Sequence, residues 1–308
     1  MKKKINILIP CYNEEASLQF LWEELKKITD ALQTYEWEFL FINDGSKDNT
    51  ILEIQNLRQK DSRVRYIDLS RNFGKEAAML AGLDNATGDA VIIMDADLQH
   101  PVKYIPEMIK YWEEGYDDIY GKRLFRGKES KIRKKLSLLF YKILSGSSNI
   151  EIQPNAGDFR LLDRKCVEAL KKMRETERYT KGLYSWIGFK KKEILISQEN
   201  RITGKSAWNF KSLSKLAING ITSFSSFPLQ IMFLLGIFIS LIAFIYLFFI
   251  LIRTVIYGEP VRGFPTLIII ILFLGGIQIL CFGVLGLYLS RIYNETKKRP
   301  PYIVNMID

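Results

Sequence analysis

The chain has 308 residues, 48% of them hydrophobic and 25% charged, with 44 Lys and Arg against 34 Asp and Glu. Those figures exclude a disordered tail, a collagen and a disulfide-stapled mini-protein, and they leave room for about two domains. The apolar residues pile up after residue 228, so the mean hydropathy of −0.01 averages over two different solvents. In chain order, a buried strand is expected over 5–9, a helix over 14–35, a strand over 38–42 and a helix over 48–60. A strand over 64–69, a helix over 74–86 and a strand over 90–94 follow. Strands alternating with helices imply parallel pairing in an α/β sheet, with ligands bound beyond the carboxyl ends of the strands.

Two later stretches read as interfacial. Over 131–146, Ile132, Leu136, Leu139, Phe140 and Ile143 share one helical face and the cations lie largely elsewhere, which makes a basic amphipathic helix. A second amphipathic helix is expected over 211–224. Residues 229–252 are nearly unbroken apolar sequence, about 24 residues, enough to cross a ~30 Å hydrocarbon core at 1.5 Å per residue. A second uncharged run lies between Arg262 and Arg291, so the two form a transmembrane hairpin. The expected organisation is a soluble domain over 1–210, a juxtamembrane amphipathic helix over 211–227, spans at about 229–252 and 264–290, and a tail over 291–308.

The flanking charges orient this hairpin. Lys205, Lys211, Lys215, Arg291, Lys297, Lys298 and Arg299 lie on the shared side, against Arg253 and Arg262 in the connector, which places the soluble domain and both termini in the cytoplasm. Met1-Lys2-Lys3-Lys4 is basic like a signal peptide, but the apolar stretch after it ends at Pro10, too short for an h-region. Cys11, Cys166 and Cys281 are scattered, so neither a disulfide framework nor a zinc knuckle is implied, and a reducing compartment fits. Small residues at Gly236, Ser240, Gly276, Gly283 and Ser290 would let the apolar helices approach closely, within one chain or between copies.

Charge is unevenly spread. Residues 1–120 carry 14 basic and 22 acidic side chains, a net of −8; residues 122–142 carry nine Lys and Arg against Glu129 alone, and residues 160–215 carry 15 against six. The basic half attracts polyanions: nucleic acid, an anionic membrane surface or a phosphorylated substrate. Its aromatics do not interleave with the cations as a stacking platform requires, which argues against nucleic acid.

The chemistry-bearing residues follow the strands. After the first comes Pro10-Cys11-Tyr12-Asn13-Glu14-Glu15, and after the second Asn43-Asp44-Gly45-Ser46-Lys47-Asp48-Asn49-Thr50, where Asp44 can accept from a uracil edge or ribose hydroxyls and Asp48 or Asn49 can cap the next helix. The last of these strands leads into Asp95-Ala96-Asp97-Leu98-Gln99-His100-Pro101. Two carboxylates two residues apart in extended chain point the same way, and such hard oxygen ligands suit Mg²⁺ or Mn²⁺ held together with a substrate diphosphate. His100 is the only histidine, and no His-based triad is supported.

In this order and spacing the motifs resemble the N-terminal signature of family 2 glycosyltransferases, whose GT-A fold, a Rossmann-like α/β domain, binds a nucleotide-sugar beside a DxD metal site. The resemblance extends over essentially the whole chain to polyprenyl-phosphate glycosyltransferases, the group of dolichol-phosphate mannose synthase and the GtrB-like bactoprenol glucosyltransferases. It continues through Ser70-Arg71-Asn72-Phe73-Gly74-Lys75-Glu76, Gly157-Asp158-Phe159-Arg160 and Arg201-Ile202-Thr203-Gly204-Lys205-Ser206. It implies that Pro10, Tyr12, Glu14, Asp44, Asp95 and Ser206 meet the nucleotide-sugar, and that Asp97 is the principal metal ligand with Asp95 beside it. It gives Asp158 a place near the reacting centre, as base, metal ligand or orienting group. Arg201 and Lys205 match a loop that closes over the phosphates, and Arg123 matches a basic residue that meets the acceptor phosphate.

The implied reaction moves one sugar from a nucleotide-sugar to polyprenyl (undecaprenyl) phosphate at the cytoplasmic face of the membrane, and direct displacement inverts the anomeric centre. UDP-glucose is the default donor by resemblance, with GlcNAc, galactose, mannose and an aminoarabinose derivative open. A homo-oligomer, a tetramer by resemblance, is expected. Two other readings stand beside this one: a processive polysaccharide synthase, and a non-catalytic scaffold or nucleotide-sugar sensor. The first carries Gln-x-x-Arg-Trp, whereas here Gln198-Glu199-Asn200-Arg201 is followed by Ile202; the second does not require the full set of acidic residues.

Overall fold

The computed structural model describes residues 2–98, 101–123, 156–176, 178–197, 227–257 and 263–308. The amphipathic helices expected over 131–146 and 211–224, together with His100, Arg201, Lys205 and Ser206, lie outside the described residues.

The first strand, β1 (Lys4–Cys11), runs through the middle of the sheet, and its side chains alternate between two cores as strand geometry requires. Ile5, Ile7 and Ile9 join Phe39 and Phe41 of β2 (Glu36–Asn43) on one face, under Leu18, Leu21, Trp22 and Leu25 of α1 (Glu15–Ala31). Leu8 joins Leu40 and Ile42 on the other, under α3 (Lys75–Asn85). A Cβ at Gly82 would overlap the Leu8 side chain, so glycine is what lets α3 lie this close to β1. Burial on both faces explains why these strands read as continuous apolar runs.

The helix α2 (Thr50–Lys60) and the strands β3 (Val64–Leu69) and β4 (Ala90–Ile93) complete the first half. A 3-10 turn (Val102–Tyr104), α4 (Ile105–Glu113), β5 (Asp118–Arg123), β6 (Ala156–Asp163), α5 (Arg164–Lys172), α6 (Thr180–Trp186) and β7 (Lys191–Ile196) follow. The chain ends with α7 (Phe227–Tyr257), α8 (Phe264–Thr296) and β8 (Val304–Ile307). The strand order is β7-β5-β6-β4-β1-β2-β3-β8. Pairings β1–β2, β1–β4 and β2–β3 are parallel, as alternation predicts, but β6 runs antiparallel to both β4 and β5, and β8 antiparallel to β3, so the sheet is mixed.

Residues 291–308 differ from the tail expected of them. Helix α8 continues to Thr296, and 304–307 return to the sheet as its edge strand, with Ile67 opposite Ile307 and Asp68 opposite Met306. Ser70 N–H donates to the Ile303 carbonyl at 2.9 Å, and Arg58 pairs with Asp308 at 2.6 Å. All four β8 residues are exposed, so no in-and-out alternation marks the strand in the sequence.

The helices α7 and α8 touch each other and carry exposed apolar side chains, among them Phe233, Phe244, Phe273 and Leu289. Among the described residues one stretch, Phe273–Thr296, is long and apolar enough to cross a membrane; Ile231–Tyr246 is a shorter apolar stretch.

Candidate active site

The strand order reverses between β4 and β1, and the carboxyl ends of β1, β2 and β4 open there into one crevice, the place where such sheets bind ligands. On the β1–β2 side the loops are laced together. Asn13, in the left-handed region at φ 55°, donates its backbone N–H to Ser46 Oγ at 3.0 Å and accepts from Lys47 N–H at 2.8 Å. Glu14 N–H donates to the Thr50 hydroxyl at 2.8 Å, and the Glu14 carboxylate accepts from the Ser17 hydroxyl at 2.7 Å. Asp48 accepts from both the backbone N–H and the hydroxyl of Thr50, so it serves the start of α2. Tyr12 stands 43% exposed just beyond the end of β1, whose last two residues are Pro10 and Cys11.

Asp44 is buried. Its oxygens accept the backbone N–H groups of Phe73 at 2.7 Å and Gly74 at 2.9 Å, fixing the β3–α3 turn. Burial pushes its pKa above the usual carboxylate range, and the two amide dipoles with nearby Arg71 offset this only in part. Gly45, at φ 61°, sits directly on the Arg71–Asn72 backbone, where any Cβ would collide.

The β4 side is held by charge. Ile93 pairs with Arg160 in the antiparallel β4–β6 register, which carries Asp95 level with Asp158 just beyond the paired residues. Lys75, the first residue of α3, bridges them: its ammonium lies 2.5 Å from Asp95 Oδ1 and 2.7 Å from Asp158 Oδ2. Burial alone would raise Asp158, but Lys75, then Lys181 and Arg160, hold it well below the usual carboxylate range. For Lys75, likewise, burial works against the charged form and the two carboxylates reverse the effect, raising its pKa. The second oxygen of Asp158, Oδ1, is buried without a hydrogen-bond partner among the described residues. Asp97 lies half-buried two residues beyond Asp95 on the same turn.

Beneath Asp158 runs a buried charged layer. Arg160, 3% exposed, donates to both oxygens of Asp118 at 3.1 and 3.0 Å and stacks 3.4 Å from the ring centroid of Tyr184. Burial raises Asp118, and Arg160 opposes that rise. Glu76 accepts from the Thr180 hydroxyl and backbone N–H, tying α3 to α6, and burial raises its pKa.

The structure therefore brings Asp95, Asp97 and Asp158 to one edge of the sheet, and Tyr12, Glu14 and Asp44 to the adjoining loops. Arg123 closes β5 opposite Ile196, at the edge shared with the other carboxyl ends. Sequence reading gave no role to Lys75, Glu76, Arg160 or Tyr184. A signal for one was present: Asp158 and Arg160 are two apart in extended chain and so share a face.

The model of the family described as Glycosyl transferase family 2 matches residues 6–171, which include every crevice loop from Pro10 to Asp158. The chain belongs to that family. A prophage bactoprenol glucosyl transferase homolog of Escherichia coli K12 is 43% identical over 304 residues, covering 99% of both chains. The bactoprenol glucosyl transferase of Shigella phage SfX is 42% identical over 301 residues, 98% of each chain. A crystal structure of a mycobacterial protein shares the fold, with a TM-score of 0.50 at 15% identity, over 71% of this chain and 73% of that one. The family 2 chain is accordingly a glycosyltransferase of the GtrB-like group, built on a GT-A-like α/β domain.

Proposed function

We propose that this glycosyltransferase moves a single glucose from UDP-glucose to polyprenyl (undecaprenyl) phosphate at the cytoplasmic face of the membrane, with inversion at the anomeric carbon. The observation that carries the reading is the meeting of Asp95 and Asp158 at Lys75, with Asp97 two residues beyond Asp95 on the same turn, in a chain that matches two bactoprenol glucosyl transferase relatives over nearly its full length. The nucleotide lies on the β1–β2 side, with Tyr12 exposed at the rim, Pro10 and Glu14 framing the loop, and Asp44 shaping the floor through the Phe73–Gly74 turn that it holds. By the family resemblance, Ser206, Arg201 and Lys205 are assigned to the nucleotide-sugar and its phosphates.

A divalent cation, Mg²⁺ or Mn²⁺, fits the donor set, because Asp97 and Asp95 present hard oxygens and leave coordination positions for a diphosphate. Bound there, it would supply charge neutralisation to the departing diphosphate. Arg201 and Lys205 neutralise the same leaving group, and Arg123 holds the acceptor phosphate. A lipid phosphate is largely dianionic at cytoplasmic pH, its second pKa being about 6, so it attacks with little help from a base. One of its oxygens forms the bond to the anomeric carbon as the bond from that carbon to the UDP oxygen breaks on the opposite face. Asp158 orients the sugar or its neighbours near that carbon.

The returning strand β8 supports a two-span topology. It pairs with β3 of the soluble domain, so the end of α8 lies on the domain's side; if α8 crosses the membrane, α7 crosses as well. The domain is then a 1–210 unit above a hairpin, with both termini cytoplasmic, and the apolar faces of α7 and α8 suit lipid and other copies of the chain, a tetramer by resemblance.

Labelled UDP-glucose, short-chain polyprenyl phosphate and Mg²⁺ or Mn²⁺ test the reading: one sugar per lipid, extractable into organic solvent, is expected. A long polymer would instead indicate a processive synthase, and binding of UDP-glucose without turnover a sensor. Asp97→Asn is expected to abolish transfer while leaving membrane insertion intact.

A further inference from the structure

We propose that Lys75 is the resident cation of the donor site: it neutralises the Asp95–Asp158 pair and so sets how strongly the site draws a divalent cation. The inference rests on the donor-site reading above and adds a residue to which that reading gives no role.

Three carboxylates lie at one sheet edge: Asp95 and Asp158 meet at Lys75, and Asp97 follows two residues beyond Asp95 on the β4 turn. Like charges brought this close disfavour one another unless a cation intervenes. The Lys75 ammonium intervenes between two of them, at 2.5 Å from Asp95 and 2.7 Å from Asp158. An ammonium has three N–H donors; two meet these carboxylates, and the third has no acceptor among the described residues. The side chain is 41% exposed, so this last donor is reachable from the crevice by an anion such as the diphosphate of a sugar donor.

Anchoring of the helix does not account for this placement. The start of α3 is already fixed by the bond from Gly74 N–H to Asp44 at 2.9 Å, and Ala77, Ala78, Met79, Leu80 and Leu83 bury its underside against the sheet. The lysine head is left to act on charge. Asp95 is thereby shared between an internal cation and an external one, with Asp97 the principal oxygen ligand of the donor-site reading.

The test is a Mn²⁺ titration of the full-length detergent-solubilised protein without nucleotide, read by electron paramagnetic resonance. Removing the positive charge in Lys75→Gln is expected to tighten Mn²⁺ binding roughly tenfold. Lys75→Arg keeps the charge and should stay within about threefold of wild type. Asp158→Asn, which leaves the lysine to Asp95 alone, should weaken binding several-fold. Unchanged or weaker Mn²⁺ binding in Lys75→Gln, shifts of the same sign in Lys75→Gln and Asp158→Asn, or absence of Mn²⁺ binding in all variants overturns the proposal. The donor-site reading is scored separately: a wild-type protein that glycosylates the lipid while Lys75→Gln binds Mn²⁺ as wild type does refutes only the lysine assignment. Tighter Mn²⁺ binding in Lys75→Gln with no transfer by wild type refutes only the transferase reading of the site.

Discussion

On the β2–β3 side of the crevice Asp44 is buried and held by two backbone N–H groups, whereas on the β4–β6 side Asp158 is half-buried and held by a lysine. Burial raises the pKa of both carboxyls; two amide dipoles only moderate the rise at Asp44, while the full charges around Asp158 reverse it. One wall is thus organised by directional hydrogen bonds that fix the shape of a loop. The other is organised by charge, and charge is what a departing diphosphate and an arriving phosphate respond to.

The largest effect is expected where the charged wall is deepest. Arg160→Met leaves Asp118 buried without its partner, and unfolding in urea should show a loss of about 3–5 kcal/mol. The double variant Arg160→Met/Asp118→Leu should recover most of it, because an apolar pair of similar volume removes the stranded charge. A double variant as unstable as the single one would mean that the layer is held by packing on Tyr184 instead.

On the other wall Asp44→Ala strands the N–H groups of Phe73 and Gly74 and should cost about 1–3 kcal/mol in the same measurement. Asp44→Asn, which keeps one acceptor oxygen, should cost about half as much. Tyr302→Phe removes one hydrogen bond to Asp84, a residue that Arg174 continues to pair with at 2.6 and 2.9 Å, and should cost about 0.5–1.5 kcal/mol.

The smallest and sharpest contrast is the pH dependence. A depressed carboxyl such as Asp158 contributes stability that is complete above the ordinary carboxylate range and is lost as pH falls through its lowered value. A raised carboxyl such as Asp44 acts with the opposite sign: its folded form prefers the proton, so wild type gains relative to Asp44→Asn as pH falls through the raised value. Unfolding free energies measured from pH 7 downward should therefore show the gap to Asp158→Asn closing in acid and the gap to Asp44→Asn widening. Parallel curves would contradict the distinction between the walls.

The wall organised by hydrogen bonds was the more legible one. Its strands are apolar runs followed by turn signals, and the observed bounds of β1 to β4 lie within two residues of the expected ones, those of β3 coinciding with them. The charged wall was hidden by its own chemistry. Strands β5 and β6 bury Asp118 and Arg160 as a pair, so neither presents the apolar pattern by which buried strands are recognised. Spacing placed Asp95 beside Asp97, but only the antiparallel β4–β6 register places Asp158 beside Asp95, and register between distant strands has no local signal. Strand β8, exposed on both faces, was missed for the plainest reason: it carries no burial to encode.

Transfer of labelled glucose from UDP-glucose into organic-extractable polyprenyl phosphate, compared for Asp158→Asn and Asp44→Asn under conditions where both are folded, tests the contrast directly. The account predicts a loss of roughly 10²-fold or more in Asp158→Asn, the order seen when one preorganised electrostatic group is removed from an active site, and a rate within about tenfold of wild type in Asp44→Asn. Wild-type transfer by Asp158→Asn together with abolished transfer by Asp44→Asn would contradict it.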